Sequence, residues 1–305
     1  MRDSFARAMT RLAKEREDVC LLSGDIGNRM FDRYKEVAPT RFLNCGIAEA
    51  NMMSMAAGMG ICGLRPVVYT IAPFTTVRCL EQIRVGVGYH KSPVTIVGTG
   101  SGLSYAELGA THHSLEDVAI MSAIPGMQVC TPCDSIELEH QLRQAIEEGY
   151  PTYIRIGKKG EPDIVGKKGE SRIGRANVIR EGRKIMIICA GPIISEAIDA
   201  AKYMGRYDKD PGITSIGSIE PLDHKYLYDL IKRGYKQWIT LEEHYLSGGL
   251  GTKVIEWLSE NRINDVDVIR VGVKKKFIHG LGSQNDIRRQ ENIDSFALQE
   301  IMKSL

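Results

Sequence analysis

No uncharged apolar run in this 305-residue chain is long enough to cross a bilayer. Charge of one sign is not in excess either. Forty Lys and Arg stand against 38 Asp and Glu, a net of +2, so charge gives no case for nucleic acid or an anionic membrane as partner. The N-terminal stretch carries Asp3, Glu15 and Glu17 and lacks an apolar core, so neither a signal nor a transit peptide is expected there. Cysteine is odd in number: Cys20, Cys45, Cys62, Cys79, Cys130, Cys133 and Cys189. Most sit inside apolar runs, which predicts free thiols in a reducing cytoplasm. Cys130-Thr131-Pro132-Cys133 has no second pair at zinc spacing and reads as two coincidental thiols at a strand end. The dinucleotide fingerprint is missing, because the glycines at 98, 100 and 102 would need another at position 103, which is Leu103. No GxxxxGK[ST] phosphate loop and no internal repeat is present.

What is there is an ordinary soluble composition, 43% hydrophobic and 26% charged, with length for two domains. Short apolar segments alternate with helical periodicity: a helix over 4–17, a strand over 19–22, a helix near 30–37, a strand at 42–44, a long apolar helix, a strand over 66–71, a helix over 74–89 and a strand over 94–98. A helix over 115–122, a strand over 127–131, a helix over 135–149 and a strand over 152–156 follow. This order predicts an α/β fold with a mostly parallel sheet covered on both faces. Residues 158–183 are rich in glycine and charge and read as a linker with room for a short strand at its end. Strands over 184–190, 212–216, 237–241 and 267–271, with helices between them and a last helix over 292–303, make a second α/β unit. The expected organisation is therefore 1–157, linker 158–183 and 184–305, each domain a three-layer α/β/α sandwich.

Four places invite chemistry. Glu49 is a single acid entering the small and apolar run Ala48–Gly63, which a helix could bury on all sides. It is either capped by the helix N-terminus, which favours negative charge, or kept for catalysis. Ser23-Gly24-Asp25-Ile26-Gly27-Asn28 ends a strand, a common place for ligand contacts. Thr111-His112-His113-Ser114 follows a glycine loop at a strand end; two adjacent histidines cannot share a helix face, so this is no HExxH-type metal site. It reads equally as a site or as a satisfied surface cluster. Gly248-Gly249-Leu250-Gly251 before a helix could hold an anion or simply permit close packing.

In order, the chain shows SGDIG, NCGIAEANMMSMAAG, GLRPVVYT, F-x-x-x-R-x-x-EQIR, VGTGSGLSYAELGATHHSLEDVAIMSAIPGMQV-x-x-P-x-D and PTYIRIGK, then ITLEEHYLSGGLG and FIHGLGSQNDIRR. This series closely resembles the pyrimidine-binding and C-terminal domains of transketolases. It is also similar to deoxyxylulose-phosphate synthase and to 2-oxo-acid dehydrogenase beta subunits. Those enzymes hold thiamine diphosphate (ThDP) through a further domain, whose GDG motif and downstream asparagine ligate Mg²⁺ (or Ca²⁺) and the diphosphate. Here Gly24-Asp25 is followed by Ile26, and the motif occurs nowhere in the chain. The resemblance thus implies the C-terminal catalytic subunit of a split transketolase. Its partner would be an N-terminal subunit carrying diphosphate and metal, in an α₂β₂ heterotetramer.

By the same resemblance, Glu49 would activate the aminopyrimidine of ThDP, with Ile47, Ala48, Met52 and Met53 desolvating its carboxyl. Phe74 would pack on the pyrimidine. Two further aromatic positions fall on Ile71 and Val77, which implies a more aliphatic pocket. His112 would serve catalysis and substrate oxygens. Arg155 would grip a substrate phosphate, with Arg2 a further substrate-binding candidate, and Asp25 would lie near the cofactor across the subunit boundary. Two departures bear on the sugar. An aspartate that reads hydroxyl stereochemistry in single-chain transketolases is Leu108 here, and a histidine is Gly100. The expected reaction is transfer of a two-carbon ketol unit between sugar donor and aldose acceptor. The alternatives are a 2-oxo-acid dehydrogenase beta subunit and a non-catalytic partner subunit.

Overall fold

The structure is a computed structural model that describes residues 1–158, 160–165, 171–207, 209–280 and 282–305. Within the expected linker, position 159 and the run 166–170 lie outside the described residues.

The first unit is built from α1 (Arg2–Glu15), β1 (Val19–Ser23), α2 (Asp32–Val37), β2 (Phe42–Asn44), α3 (Glu49–Ile61), β3 (Arg65–Ile71), α4 (Ala72–Thr75), β4 (Thr95–Thr99), α5 (Asp117–Ser122), β5 (Gln128–Cys130), α6 (Ser135–Glu148) and β6 (Thr152–Ile156). Side chains alternate across a strand, and the strands here are apolar at consecutive positions. Leu21, Val67, Val97 and Ile154 face one core with α1 and α6, while Leu22, Val68, Ile96 and Tyr153 face another with α3. That double-sided burial is the physical content of the expected three layers.

The second unit comprises β7 (Ala176–Arg180), β8 (Ile185–Ala190), α7 (Ile194–Met204), β9 (Gly212–Ile216), β10 (Ser218–Glu220), α8 (His224–Lys232), β11 (Gln237–Tyr245), α9 (Leu250–Glu260), β12 (Asp267–Val273), α10 (Gln284–Gln290) and α11 (Ser295–Ser304). Its sheet runs β12-β11-β8-β9-β7 and is parallel except at β7. The first sheet runs β10-β5-β6-β4-β3-β1-β2 and is parallel except at β10. β10 thus comes from the second unit but pairs with β5 of the first. The core is shared as well: Met52, Met121 and Tyr153 belong to one buried cluster with Met186, Trp238 and Val254.

Three expectations change. The helix expected over 74–89 is broken: α4 ends at Thr75, a short 3₁₀ turn covers Val77–Cys79, and Gln82–Tyr89 winds as a π-helix. The hydroxyls of Thr75 and Thr76 donate to the Ala72 carbonyl at 3.0 and 2.7 Å, competing with the helix ladder. α3 is not buried all round. Met52, Met53, Ala56 and Ala57 are covered, but Ile61 is 61% exposed and Ile47, just ahead of the helix, 81%. β11 continues through Glu242-Glu243-His244 to Tyr245. Among the described residues no helix is long and apolar enough to cross a membrane.

Candidate active site

Parallel strands deliver their C-terminal ends to one edge of the first sheet, where α/β folds place ligands. Ser23, Asn44, Ile71, Thr99 and Ile156 end β1, β2, β3, β4 and β6 there. Glu49 is the first residue of α3 and is 4% exposed. A carboxylate so buried needs a partner, and Arg78 supplies it: Nη1 donates to Glu49 Oε1 at 2.9 Å. The same guanidinium lies 4.0 Å from the centroid of the Phe74 ring, a cation–π arrangement. Met52 and Met53 are buried behind Glu49, whereas exposed Ile47 does not contribute the cover expected of it.

Phe74 also meets His112, edge to face, at 5.2 Å between centroids. His112 is tilted toward Tyr105 at 6.0 Å, and its Nδ1 is 2.9 Å from Thr111 Oγ1. Burial pushes the His112 pKa below the usual histidine range, and the Arg78 charge and His113 push it the same way. Glu49, Arg78, Phe74 and His112 therefore form one continuous cluster. Gly24 lets β1 approach it: an added Cβ would lie 3.1 Å from Thr70 Cβ and 3.5 Å from Glu49 Cγ. Thr70 Oγ1 is buried there without a hydrogen-bond partner.

The remaining candidates lie at strand ends, in loops and at the start of α1. Asp25 is exposed in a left-handed turn and accepts from Asn44 Nδ2 at 2.9 Å. Ile71 is half-buried at the end of β3, and Val77 is 46% exposed. Leu108 is exposed on the short turn Ala106–Thr111. Gly100 has φ +82, and a Cβ would fall 2.1 Å from Tyr105 Cε2. The Tyr105 ring occupies the space that a side chain at 100 would need. Arg2 opens α1 with its Nε buried and unpartnered.

Arg155 is not brought to the open edge. It is 2% exposed; its Nη2 donates to the carbonyls of Ser114 at 2.7 Å and Glu243 at 3.2 Å. Its Nε is 3.0 Å from Asp117 Oδ2, an ion pair not aligned as a hydrogen bond. Nη2 is thus engaged by two carbonyls of the chain and the side chain is enclosed, in place of the open position expected of a group that grips a substrate phosphate.

The glycines at 248, 249 and 251 resolve both of their readings at once. The α9 N-terminus does hold an anion, but it is the buried carboxylate of Glu242, which accepts from Leu250 N at 2.7 Å and Gly251 N at 2.9 Å. A Cβ at Gly249 would fall 1.9 Å from Glu242 Oε2. All seven cysteines are free. Arg78 is the arginine of the F-x-x-x-R motif that Phe74 opens, and Tyr105 lies in the segment GLSYAELG after the glycine loop.

Comparison with known proteins places these features in context. Residues 1–161 match the family "Transketolase, pyrimidine binding domain" and residues 174–281 "Transketolase, C-terminal domain". The chain is 32% identical over 285 residues to a subunit of the apulose-4-phosphate transketolase of Phocaeicola vulgatus, covering 92% of this chain and 89% of that protein. It is 31% identical over 280 residues to a putative transketolase C-terminal section of Methanocaldococcus jannaschii, covering 91% and 87%. A solved structure described as a split gene transketolase, inactive beta4 tetramer, superposes with a TM-score of 0.91 at 29% identity, covering 99% of this chain and 97% of that one.

Proposed function

The chain belongs to the transketolase family, and from that premise we propose that it is the C-terminal catalytic subunit of a split, ThDP-dependent transketolase. The observation that carries this reading is the planar Arg78 cation. It lies over the Phe74 ring and is hydrogen-bonded to buried Glu49, filling the two contacts that an aminopyrimidine ring would take. The donor set suits that half of the cofactor: one carboxylate, one aromatic face and an unpartnered hydroxyl at Thr70.

When bound, ThDP supplies a thiazolium carbon acidic enough to become a nucleophile toward a ketose carbonyl. Glu49 would share a proton with a ring nitrogen of the pyrimidine, donating it while the ring is neutral. Phe74 orients the ring. His112, kept neutral by its surroundings, is able to receive or return a proton at a substrate oxygen. Arg155 ties the His112 loop to the second unit through the carbonyls of Ser114 and Glu243. Ile71, Asp25 and Arg2 border the site from β3, the β1 loop and α1.

The diphosphate and Mg²⁺ belong to an N-terminal partner subunit, in an α₂β₂ assembly located in the cytoplasm. The seven free thiols support that compartment. Exposed Ile47, Met55 and Ile61 fit a face that a second copy or the partner covers. The related split-gene beta4 tetramer, described as inactive, supports self-association of the lone chain. The substrates are a ketose donor and an aldose acceptor, and Leu108 with Gly100 supports an acceptor preference unlike that of single-chain transketolases.

Calorimetry with ThDP and Mg²⁺ on the chain alone, then with the N-terminal subunit of the same organism, tests this. Tight binding in the mixture alone is expected. In that mixture Glu49→Ala should lower the two-carbon transfer rate roughly 10²–10⁴-fold; an undiminished rate would remove Glu49 from catalysis.

A further inference from the structure

The loop from Gly102 to Leu115, which carries His112 two residues ahead of its closing Ser114, stands on the second unit. Ser114 N donates to the Gly102 carbonyl at 2.9 Å and closes the loop's base. Both feet then rest on β11. Leu103 N donates to Glu243 Oε2 at 3.0 Å, and Tyr245 N donates to the Leu115 carbonyl at 2.7 Å. Gly102, at φ +58, is pressed so close that a Cβ would meet Glu243 Oε2 at 2.4 Å and the Glu243 carbonyl at 2.7 Å. Arg155 bridges the Ser114 and Glu243 carbonyls from below.

Glu243 is itself held from the far side. Arg288 Nε donates to Oε1 at 2.7 Å, and Gln284 Nε2 donates to both oxygens at 3.1 and 3.0 Å. Arg288 Nη1 continues to Glu196 Oε1 at 3.1 Å, and Glu196 accepts from Ser295 N at 2.9 Å. Glu243 and Arg288 are 5% and 6% exposed. An ionic network this dry is costly to maintain, and hydrophobic residues could fill such a volume without that cost. A network retained at the foot of a site loop fixes that loop in one geometry.

We propose that Glu243, anchored by Arg288 and Gln284, is a positioning residue that holds the His112 loop against the first unit from the C-terminal domain. The clamp needs no cofactor or partner, whereas its effect on turnover rests on the transketolase reading given above. It gives the segments ITLEEH and SQNDIRR a task in the site, which they reach only through the loop.

The test is side-chain NMR titration of His112 in the full chain, assigned with His112→Gln, for wild type, Glu243→Ala, Glu243→Gln and Gln284→Ala. A released loop lets His112 move out of its covered position beside Arg78, so its midpoint should rise toward about 6.5 in Glu243→Ala and partway in Gln284→Ala. Glu243→Gln keeps an acceptor for Leu103 N and should stay near wild type. A folded Glu243→Ala or Gln284→Ala with an unmoved His112 midpoint overturns the proposal, even where its melting temperature falls. If Glu243→Ala does not fold, Gln284→Ala decides. In the assembled enzyme Glu243→Ala should lower kcat by about ten- to a hundredfold, the scale of small misplacements, with KM little changed. Absence of transfer activity in the wild-type assembly would count against the functional reading and leave the titration to judge the clamp.

Discussion

Arg78 holds Glu49 with its Nη1 2.9 Å from the carboxylate, while its Cζ lies 4.0 Å from the centroid of the Phe74 ring. In the lone chain this pairing satisfies a carboxylate that would otherwise be buried unmet. It also occupies the two contacts that a pyrimidine ring needs, so the arginine has to swing aside before the ring can enter. Its side chain is 44% exposed and free to do so.

Arg78→Ala is therefore expected to strengthen ThDP binding in the assembled complex. An ion pair open to solvent on its arginine side and a cation–π contact are together worth about 1 kcal/mol, which corresponds to about a fivefold lower Kd. Calorimetry on the variant complex reads this directly. A weaker Kd would show that Arg78 joins the bound cofactor instead of vacating its place.

Arg155→Met should destabilise the chain by about 3–5 kcal/mol, because Asp117 is left as an uncompensated buried charge. Both groups are buried, Asp117 at 1%. Urea denaturation measures the change. An unchanged midpoint accompanied by a large rise in KM for a phosphorylated sugar would restore Arg155 as a substrate ligand.

Gly100→Ala should cost at least about 1–2 kcal/mol from its left-handed backbone alone, with the Tyr105 clash added. Pairing it with Tyr105→Ala should recover the clash but not the backbone part. The double-mutant cycle in thermal unfolding separates the two. Full recovery would mean that φ at 100 is not fixed.

The pH dependence has a definite sign at His112. Its pKa in the folded chain is depressed by burial, by Arg78 and by His113, so near neutrality the unfolded chain binds the more protons. The stability it contributes is complete above about 6.5 and declines as pH falls through the folded value. His112→Gln should thus lose less stability than wild type between pH 7 and pH 5. Equal losses in parallel urea titrations would contradict the shift.

Much of this was legible because it rests on local rules. Consecutive apolar residues at 21–22, 67–68 and 96–97 require a sheet buried on both faces, and Glu49 at the mouth of an apolar run is conspicuous on any reading. The rest depends on contacts distant in sequence. Nothing near Arg155 shows that Asp117, Ser114 and Glu243 will absorb its donors. The break after α4 hinges on two threonine hydroxyls choosing one carbonyl, which propensity averages miss. α10 went unread because its start, a Ser283–Asp286 capping box, stands after a glycine-rich segment with little periodicity. The exposed face of α3 escaped because composition tells how apolar a helix is, and a partner decides how much of it is covered.

β10 has a mechanical consequence for the whole subunit. Three residues from the second half are laced onto β5 of the first, and Thr131 and Gln141 reach across to the carbonyls of Ile216 and Gly217 at 3.0 and 2.8 Å. The halves are therefore stitched by a seam as well as strung on a thread. Severing the thread ahead of β7 would leave the seam closed, so load applied to one half passes through a sheet edge to the other.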